Sequence, residues 1–364
     1  MIPPERERLA WLRLARSESV GSTTFAYLIA TYGSASSAIE HLPELARRGG
    51  RAQPLRIPAI QESERELTAG VSLGARLMLG CEADFPHLLA VLDSPPPLIW
   101  VLGDASLLAR RTVAIVGARA ASSAGRRFAH GLAAELGASG YVVISGMARG
   151  IDSAAHEGAL ATGTVAVMAG GVDEIYPPEN KSLAEAIRLR GCLVSERPLG
   201  FAARAADFPR RNRLISGLSL GVVVVEAELR SGSLITARLA GEQGREVFAV
   251  PGSPMDPRAR GANDLLRQGA FLVEEAEDVL RVLDAQPGVS EPERPSFTPI
   301  DGAADDLGEA DLQRLESLLS LTPTRLDDLA RDAGASSGAV AAALVELSLA
   351  GRAELLPGGF AVRR

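Results

Sequence analysis

Lysine is almost absent from this chain of 364 residues, in which Lys181 is the only one. Cysteine and histidine are also scarce: the two cysteines, Cys81 and Cys192, and the four histidines are scattered. This scatter favours reduced core cysteines and argues against a disulfide framework or a zinc site. No apolar run approaches the roughly 18 residues that a membrane-spanning helix needs. Because the N-terminus is also too charged for a secretory signal, we expect a cytoplasmic protein.

Charge is unevenly distributed along the chain, although its net value of −7 at first argues against a nucleic-acid partner. The segment Arg197–Arg213 contains five arginines and a single acid, Asp207. The segment Glu291–Asp311 is acidic instead, with Arg294 as its only positive charge. The placement of the arginines is therefore more informative than their number.

Four regions can be separated by their patterns. Residues 1–75 predict short helices, and the turn Val20-Gly21-Ser22-Thr23 fits a SAM or helix–hairpin–helix module. Such a module can touch DNA, but a plain helical packing domain has the same pattern, and we favour that interpretation. Residues 76–284 alternate short Val/Ile-rich strands with helices, which predicts an extended α/β domain of Rossmann-like type with a doubly wound, mostly parallel sheet. Residues 285–308 predict a flexible linker. Residues 309–364 predict three helices and a hairpin, as in a winged-helix-like domain.

Ligands of an open parallel sheet bind beyond the carboxyl ends of its strands, so the residues after each predicted strand matter most. The strand Thr112–Val116 is followed by Gly117, Ala118 and Arg119, and then by the start of a helix. Glycine admits a ligand close to the backbone, helix N–H groups attract an anion, and arginine adds a cation. The strand Val142–Ile144 leads into a second turn of this kind, which contains Ser145, Gly146, Arg149 and Gly150.

Two further segments have the same character. Phe208-Pro209-Arg210-Arg211-Asn212-Arg213 combines an aromatic ring that can stack on a base with arginines for phosphates. Ser231, Gly232 and Ser233 form a small-residue turn before a helix. Glu226, at the end of the preceding strand, predicts a carboxylate that pairs with a loop arginine or a backbone N–H, with a catalytic base as the alternative. Asp152 and His156 lie four residues apart, on one face of the predicted helix. We expect them to belong to a structural hydrogen-bond network and not to form half of a metal site.

Several enzyme signatures are missing. The chain has no GxxxxGK[ST] loop, no GxGxxG, no serine in a nucleophile elbow and no conspicuous carboxylate pair. These phosphate-friendly turns outnumber what a mononucleotide requires, so the pattern favours binding along a nucleic-acid backbone without catalysis, cofactor or metal.

The joint pattern of these motifs resembles one bacterial family. Ser145–Asp152 with Ala155-His156, Tyr176-Pro177, Ser195-Glu196, Phe208–Arg213, Glu226-Ala227 with Ser231–Ala237, and Pro251-Gly252 occur here in the order found in the DNA-processing protein A (DprA/Smf) family. The resemblance is dense from Leu79 to about Leu283, and the flanking modules fit the longer members.

The resemblance implies a protein of natural transformation and recombination that binds and protects incoming single-stranded DNA, forms a homodimer and loads the RecA recombinase onto the strand. Arg119 falls on the phosphate-binding arginine of the family's Gly-Ser-Arg loop, but Ala118 lacks the expected hydroxyl. Arg204 is the nearest match to a basic residue that often precedes the Phe-Pro pair. The implied DNA-binding set is Gly117, Ala118, Arg119, Ser145, Gly146, Arg149, Gly150, Arg204, Phe208, Arg211, Asn212, Arg213, Ser231, Gly232 and Ser233.

The C-terminal module departs from a DNA-reading design. Its presumed recognition helix, Ser337–Ala350, has no lysine or arginine and contains Glu346. A helix in the major groove is expected to present basic or amide side chains. The sequence therefore favours protein contact or regulation there, with duplex DNA binding as the alternative. Two further alternatives for the whole chain are a nucleotide phosphoribohydrolase, which the central domain resembles more distantly, and a scaffold that acts mainly by protein contact.

Overall fold

The computed structural model describes residues 3–285 and 308–364, so most of the predicted linker, 285–308, lies outside the described residues. The N-terminal module is helical, as predicted. Its four helices are α1 (Glu5–Ala15), α2 (Ser22–Tyr32), α3 (Ala35–Arg48) and α4 (Ile60–Leu73). The Ser34 side chain caps α3 by accepting a hydrogen bond from the Ser37 N–H. The core of this module contains Trp11, Leu14, Phe25, Leu28 and Leu42.

The central domain contains a nine-stranded sheet. Its strands are β1 (Ala75–Leu79), β2 (Leu98–Gly103), β3 (Thr112–Gly117), β4 (Val142–Ser145), β5 (Thr164–Val167), β6 (Cys192–Ser195), β7 (Gly221–Val225), β8 (Glu246–Ala249) and β9 (Phe271–Leu272). Their spatial order is β1-β2-β6-β5-β4-β3-β7-β8-β9. The seven strands from β6 to β9 in this order run parallel, which confirms the doubly wound sheet.

Helices cover both faces of this sheet. They are α5 (His87–Ala90), α6 (Ser123–Ala138), α7 (Ile151–Ala159), α8 (Lys181–Arg190), α9 (Asp207–Gly217), α10 (Gly232–Glu242), α11 (Arg260–Arg267) and α12 (Ala276–Ala285). Successive residues of β7 alternate between two buried clusters, with Val222 and Val224 in one and Val223 and Val225 in the other. A strand buried on both faces needs a continuous apolar run, which explains the Val-rich sequence.

Two strands were not anticipated from the sequence. Strands β1 and β2 pair antiparallel with each other, and β2 pairs antiparallel with β6. They extend the parallel sheet on the side that adjoins the N-terminal module. The Trp11 side chain on α1 reaches this edge and donates a hydrogen bond of 2.6 Å to the Pro97 carbonyl.

The C-terminal module is a winged helix. It consists of α13 (Glu309–Leu318), β10 (Thr324–Arg325), α14 (Leu326–Ala333), α15 (Ser337–Leu349), β11 (Ala353–Leu356) and β12 (Phe360–Arg363). The three strands form a small antiparallel sheet in the order β10-β12-β11. Helix α15 is buried on two sides, because Leu344 and Leu347 pack in the winged-helix core whereas Val345 and Leu349 pack against the N-terminal helices.

Polar contacts also fasten α15 to the end of α3. The Arg48 Nε lies 3.0 Å from the Glu346 carboxylate, which is buried. Arg51 donates a 3.1 Å hydrogen bond to the Leu349 carbonyl, and Arg352 donates one of 3.2 Å to the Gly49 carbonyl. A Cβ at Gly49 would overlap the Glu346 carbonyl oxygen, so this close approach requires glycine. The presumed recognition helix is therefore covered by the N-terminal module.

None of the helices described, from residue 3 to 285 and from 308 to 364, is both long and apolar enough to cross a bilayer.

Candidate nucleic-acid interface

The main cleft lies where the order in which the chain adds strands to the sheet reverses. Strand β3 is at the centre, and from it the chain proceeds outward through β4 on one side and from β7 to β8 on the other. The loops after β3 and β7 therefore diverge and leave a crevice at the carboxyl ends of the strands, where such folds bind ligands. This cleft has a volume of about 700 Å³ and is lined by residues 116–120, by the first two turns of α9, and by Glu228, residues 230–233, Ile235 and Thr236.

Close packing of the two strands depends on Gly117. A Cβ at this position would overlap the Val225 carbonyl oxygen on β7. The absence of a side chain thus lets the loop after β3 begin directly beside β7. The following residues, Ala118 and Arg119, are consequently delivered to the mouth of the cleft.

Arginines give the cleft its charge. Arg119 and Arg230 are exposed at its rim, and in residues 3–285 and 308–364 neither has a carboxylate within ion-pairing distance. Arg258 also lines the cleft but pairs with Asp256 on its own loop at 2.9 Å. Arginines without internal partners can offer their donors to phosphate oxygens, which guanidinium groups match geometrically.

Two aromatic rings adjoin this charged rim. The Arg119 guanidinium carbon lies 5.4 Å from the centre of the Phe208 ring, within the range of a cation–π contact. The Tyr176 and Phe208 rings are 5.5 Å apart between centroids and tilted by 58°. Cationic and aromatic groups together form the pair of features that single-strand binding sites combine.

Helix α10 points its N-terminus at the same cleft. Ser231 caps the helix, and its hydroxyl lies 2.6 Å from that of Ser233. The Asn212 side chain donates a 3.2 Å hydrogen bond to the Gly232 carbonyl and so holds this turn against α9. Asn212 is therefore a positioning residue for the Ser231–Ser233 turn, whose helix end favours negative charge.

Arg211 forms the floor of the cleft and is only 7% exposed. It donates hydrogen bonds to the carbonyls of Gly146, at 2.6 Å, and Val167. Burial lowers its pKa to about 10, although the nearby Asp152 carboxylate opposes the shift. The guanidinium remains charged at neutral pH and braces the turn after β4 from below.

The turn after β4 already contains a carboxyl group of the chain. The buried Asp152 carboxylate accepts hydrogen bonds from the N–H groups of Gly146, at 3.1 Å, and Ala148, at 3.2 Å. Burial raises the pKa of Asp152, while Arg211 and these two amides lower it. The sequence predicted amides that are free to hold a ligand anion here, whereas the structure shows that the chain's own carboxylate occupies them.

The start of helix α6 also holds a carboxylate of the chain, next to the cap residue Ser122, whose hydroxyl accepts a hydrogen bond from the Gly125 N–H. The Glu226 carboxylate accepts a 2.8 Å hydrogen bond from the Ser122 N–H and a second one from the Ser122 hydroxyl. Glu226 has a φ of +54°, which is uncommon for a residue with a side chain. The predicted pairing of Glu226 with a backbone N–H is confirmed. The helix start after Gly117-Ala118-Arg119, predicted to be open to an anion, is thus occupied.

His156 is buried on α7, the helix that follows the turn after β4. Among the described residues, no hydrogen bond joins it to Asp152. Its Nδ1 lies 2.8 Å from the Thr164 hydroxyl, and its Nε2 has no hydrogen-bond partner in residues 3–285 and 308–364. Burial, and secondarily the charge of Arg211, lowers the pKa of His156 to about 3. The imidazole is therefore neutral at physiological pH. Across the described ranges, no group of three or more His, Cys, Asp or Glu residues is arranged to hold a metal ion.

The structure brings most of the predicted binding residues together. Those that line the cleft are Gly117, Ala118, Arg119, Phe208, Arg211, Asn212, Ser231, Gly232 and Ser233. Those that do not line it are Ser145, Gly146, Arg149, Gly150, Arg204 and Arg213. Gly150, with a φ of +79°, supports the cleft from behind, because the Ile151 N–H after it donates to the Ala118 carbonyl at 3.2 Å.

The arginines outside the cleft are engaged elsewhere or point away. Arg149 forms an exposed ion pair with Glu179 at 2.5 Å. Arg213 pairs with Glu196 and donates a 3.3 Å hydrogen bond to the Ser22 hydroxyl of α2. It lines a second cavity of about 570 Å³ between the N-terminal helices, α9 and the hairpin that contains β11. Arg204 is exposed, beside the cleft residues Ala203 and Ala205.

Among the aromatic and basic residues that line the cleft, the predicted binding set lacks three: Tyr176, Arg230 and Arg258. Arg230 directly precedes the Ser231 turn, and Arg258 lies on the loop after β8, the neighbour of β7. A full reading of the loops at the carboxyl ends of β7 and β8 would have found both arginines. Tyr176 was noted only as part of a motif.

Three family models match the chain in the order of its modules. The model described as "DNA recombination-mediator protein A" matches residues 76–284. A "DprA-like N-terminal HHH domain" matches residues 5–69, and a "DprA winged helix domain" matches residues 298–359. The N-terminal match favours the helix–hairpin–helix alternative for this module.

Individual proteins agree with these matches. Protein Smf of Escherichia coli K12 is 42% identical over 284 residues, which cover 76% of this chain and 74% of that protein. The crystal structure of DprA from Streptococcus pneumoniae superposes with a TM-score of 0.63 at 32% identity and covers 77% of this chain and 98% of that one. A structure of Helicobacter pylori DprA, described by its single-stranded DNA binding mode, has a TM-score of 0.53 at 31% identity and covers 57% and 95%. This chain belongs to the DprA/Smf family of DNA-processing proteins.

Proposed function

We propose that this protein binds single-stranded DNA in the cleft between β3 and β7 and loads the RecA recombinase onto the strand during natural transformation and recombination. The observation that carries the proposal is the pair Arg119 and Arg230, which face the cleft without carboxylate partners in the described parts of the chain. The N-terminus of α10 faces the same space. Together they supply the cations and backbone amides that phosphates require.

The proposed role is binding without catalysis. Glu226, the residue considered as a general base, is held by Ser122 at the start of α6. A carboxylate engaged by two donors is poorly placed to abstract a proton from a substrate. An assay for base release from AMP tests the phosphoribohydrolase alternative: turnover that is lost in Glu226→Gln would contradict a purely binding role.

The central experiment is a salt-dependent comparison of ligands. We expect the full chain to bind a single-stranded oligonucleotide more tightly than a duplex of equal length, and to bind mononucleotides weakly. Affinity for the single strand should fall linearly on a log–log plot as salt rises, because neutralised phosphates release counterions. Equal affinity for a mononucleotide and an oligonucleotide would contradict a polyanion site.

RecA loading and the scaffold alternative are separated by a variant that no longer binds DNA. We expect Arg119→Ala to lose loading of RecA onto single-stranded DNA in proportion to its loss of DNA affinity. Undiminished loading would favour a scaffold that acts by protein contact.

We further propose that the protein acts as a homodimer in the cytoplasm. Strand β9 lies at the edge of the sheet, and Phe271 and Leu272 are 43% and 48% exposed there. An edge strand with exposed apolar side chains offers both hydrogen-bonding groups and apolar surface to a second copy. Sedimentation velocity on the unaltered chain and on Leu272→Lys tests this, with a dimer expected only for the former.

A further inference from the structure

Tyr176 is an exposed aromatic residue at the rim of the cleft. Its side chain is 53% exposed, although it lines the same cleft as Arg119 and the N-terminus of α10. Exposed tyrosine rings are common at recognition surfaces, because the ring offers apolar area while the hydroxyl stays in water. The function proposed above does not yet use this ring.

The segment that carries Tyr176 is fastened to the domain. Four residues later, the Asn180 side chain donates hydrogen bonds to the Met147 carbonyl, at 2.8 Å, and to the Ser153 hydroxyl, at 3.0 Å. Glu179 adds the ion pair with Arg149 on the turn after β4. The two part-buried Asn180 hydrogen bonds hold the segment near Tyr176, whereas the exposed ion pair adds little, so little conformational freedom needs to be lost when the Tyr176 ring binds a ligand.

The neighbouring Phe208 is less available. Its ring is flanked by the Arg119 guanidinium at 5.4 Å and by the Tyr176 ring at 5.5 Å, and its side chain is partly buried. These contacts occupy much of the Phe208 surface and hold both neighbours in position. The ring with open surface toward the solvent is that of Tyr176.

We propose that Tyr176 is the residue that stacks on a base of the bound strand, and that Phe208 is the positioning residue that holds Tyr176 and Arg119 side by side. This inference rests on the proposed single-strand binding in the cleft. A strand whose phosphate lies at Arg119 places an adjacent, unpaired base near the Tyr176 ring. Stacking requires an unpaired base, so Tyr176 favours single strands over duplexes, whose bases are already stacked.

The test separates the contribution of the bases from that of the phosphates. Affinities of the full chain are measured for a thymine oligonucleotide and for an oligonucleotide of equal length in which every nucleotide is abasic. The variants are Tyr176→Ala, the conservative Tyr176→Phe, and Leu189→Ala on α8, which removes a similarly exposed apolar side chain away from the cleft. Thermal unfolding of each variant confirms that the fold is retained.

We expect Tyr176→Ala to weaken binding of the thymine strand about 5- to 150-fold, the range for loss of one base–aromatic stack. Binding of the abasic strand should stay within about twofold, because its phosphates contact the arginines and not the ring. Tyr176→Phe should retain affinity within about twofold, since the stacking face is kept. Leu189→Ala should leave both affinities unchanged.

Two results would overturn the assignment of Tyr176. One is unchanged affinity of Tyr176→Ala for the thymine strand, and the other is an equal loss for both strands. Arg119→Ala distinguishes these two results from failure of the proposed function. If this variant binds both oligonucleotides more weakly, the cleft is used for binding. Cleft binding and the role of Tyr176 would both be overturned if the unaltered chain did not bind either oligonucleotide. The same would hold if Arg119→Ala left both affinities unchanged.

Discussion

The cleft and the α3–α15 interface use arginine in opposite ways. At the cleft, Arg119 and Arg230 reach the rim without a carboxylate partner in residues 3–285 and 308–364. At the interface, Arg48 pairs with the buried Glu346, and Arg51 and Arg352 donate to backbone carbonyls of the opposing module. The difference shows that the role of an arginine in this chain depends on its partners. In a chain with a single lysine, the number of arginines alone says little.

The largest effect is expected at the interface. Glu346→Arg should undock the winged helix, because it places two cations together in a buried site and removes a pairing whose loss typically costs about 3–5 kcal/mol. A protease site introduced between residues 286 and 307 allows the chain to be cut after folding. We expect the two fragments of the otherwise unaltered chain to elute together in gel filtration and those of Glu346→Arg to separate.

The double variant Arg48→Glu with Glu346→Arg should restore co-elution, since it exchanges the charges of the pair. Glu44→Arg is the matched control. It reverses a charge on α3, the helix that carries Arg48, but Glu44 pairs with Arg47 at the surface and not across the interface. Separation of the fragments of the unaltered chain would show that the interface does not persist in solution.

The second effect concerns the cleft itself. Arg119→Ala should weaken single-stranded DNA binding by about 1.5–3 kcal/mol, or about 10- to 150-fold, because it removes charge-assisted hydrogen bonds to phosphate. The slope of log affinity against log salt should become shallower by about one. Both are measured by fluorescence anisotropy at several salt concentrations.

The neighbouring Arg149→Ala sharpens this comparison, because Arg149 is already paired with Glu179. Its loss should change DNA affinity about twofold or less. Equal losses for Arg119→Ala and Arg149→Ala would mean that internal pairing does not decide which arginine binds DNA.

A third effect tests the interior below the cleft. His156 has a pKa of about 3 in the folded chain, because it is buried near Arg211, against about 6.5 when unfolded. The unfolded chain therefore binds this proton first as pH falls. The stability linked to neutral His156 is complete above about pH 6.5 and is lost as pH falls toward 3. Its steepest loss is about 1.4 kcal/mol per pH unit.

Urea unfolding between pH 7 and 4 measures this loss against His156→Asn, which removes the titrating ring but keeps a polar group near Thr164. The unaltered chain should lose stability faster than the variant below pH 6.5. Parallel curves would show that the imidazole is protonated without cost in the folded chain.

The smallest effect is expected from Ala118→Ser. This change supplies the hydroxyl that the resemblance leads one to expect next to Arg119. A new hydrogen bond to phosphate should raise affinity for single-stranded DNA by about 0.5–1.5 kcal/mol, or about 2- to 10-fold. The same titration measures it, and unchanged affinity would mean that position 118 does not face the bound strand.

The parallel strands of the sheet could be predicted from the sequence because their signal is local. The bounds Cys192–Ser195 and Gly221–Val225 agree with the structure, as continuous apolar runs between glycines and polar turns mark fully buried strands. Strands β1 and β2 were missed. Their identity depends on antiparallel pairing, which brings Trp100 beside Ser195, a partner distant in the chain.

The cleft could be predicted only in part. The loops after β3 and β7 were found because glycines and arginines follow recognisable strands. The occupants of two predicted anion sites were not found. Glu226 reaches Ser122 from 104 residues away. Asp152 is local to its turn, but its carboxylate was assigned to a network with His156 and not to the amides of Gly146 and Ala148. The division of Phe208–Arg213 between two cavities follows from its placement in the first turns of α9. There, Phe208 and Asn212 face the main cleft and Arg210 and Arg213 line the second cavity, whereas the buried Arg211 lies between the two and lines both.

The Glu226 carboxylate at the start of α6 is an internal competitor. Any free nucleotide that placed its phosphate on this helix would have to displace a group tethered permanently at high effective concentration. The tethered acid thus occupies a helix start to which the phosphate of a small metabolite could otherwise bind. What remains are the N-terminus of α10 and the arginines at the rim of the cleft, and the proposed single strand would gain affinity from several of these contacts at once.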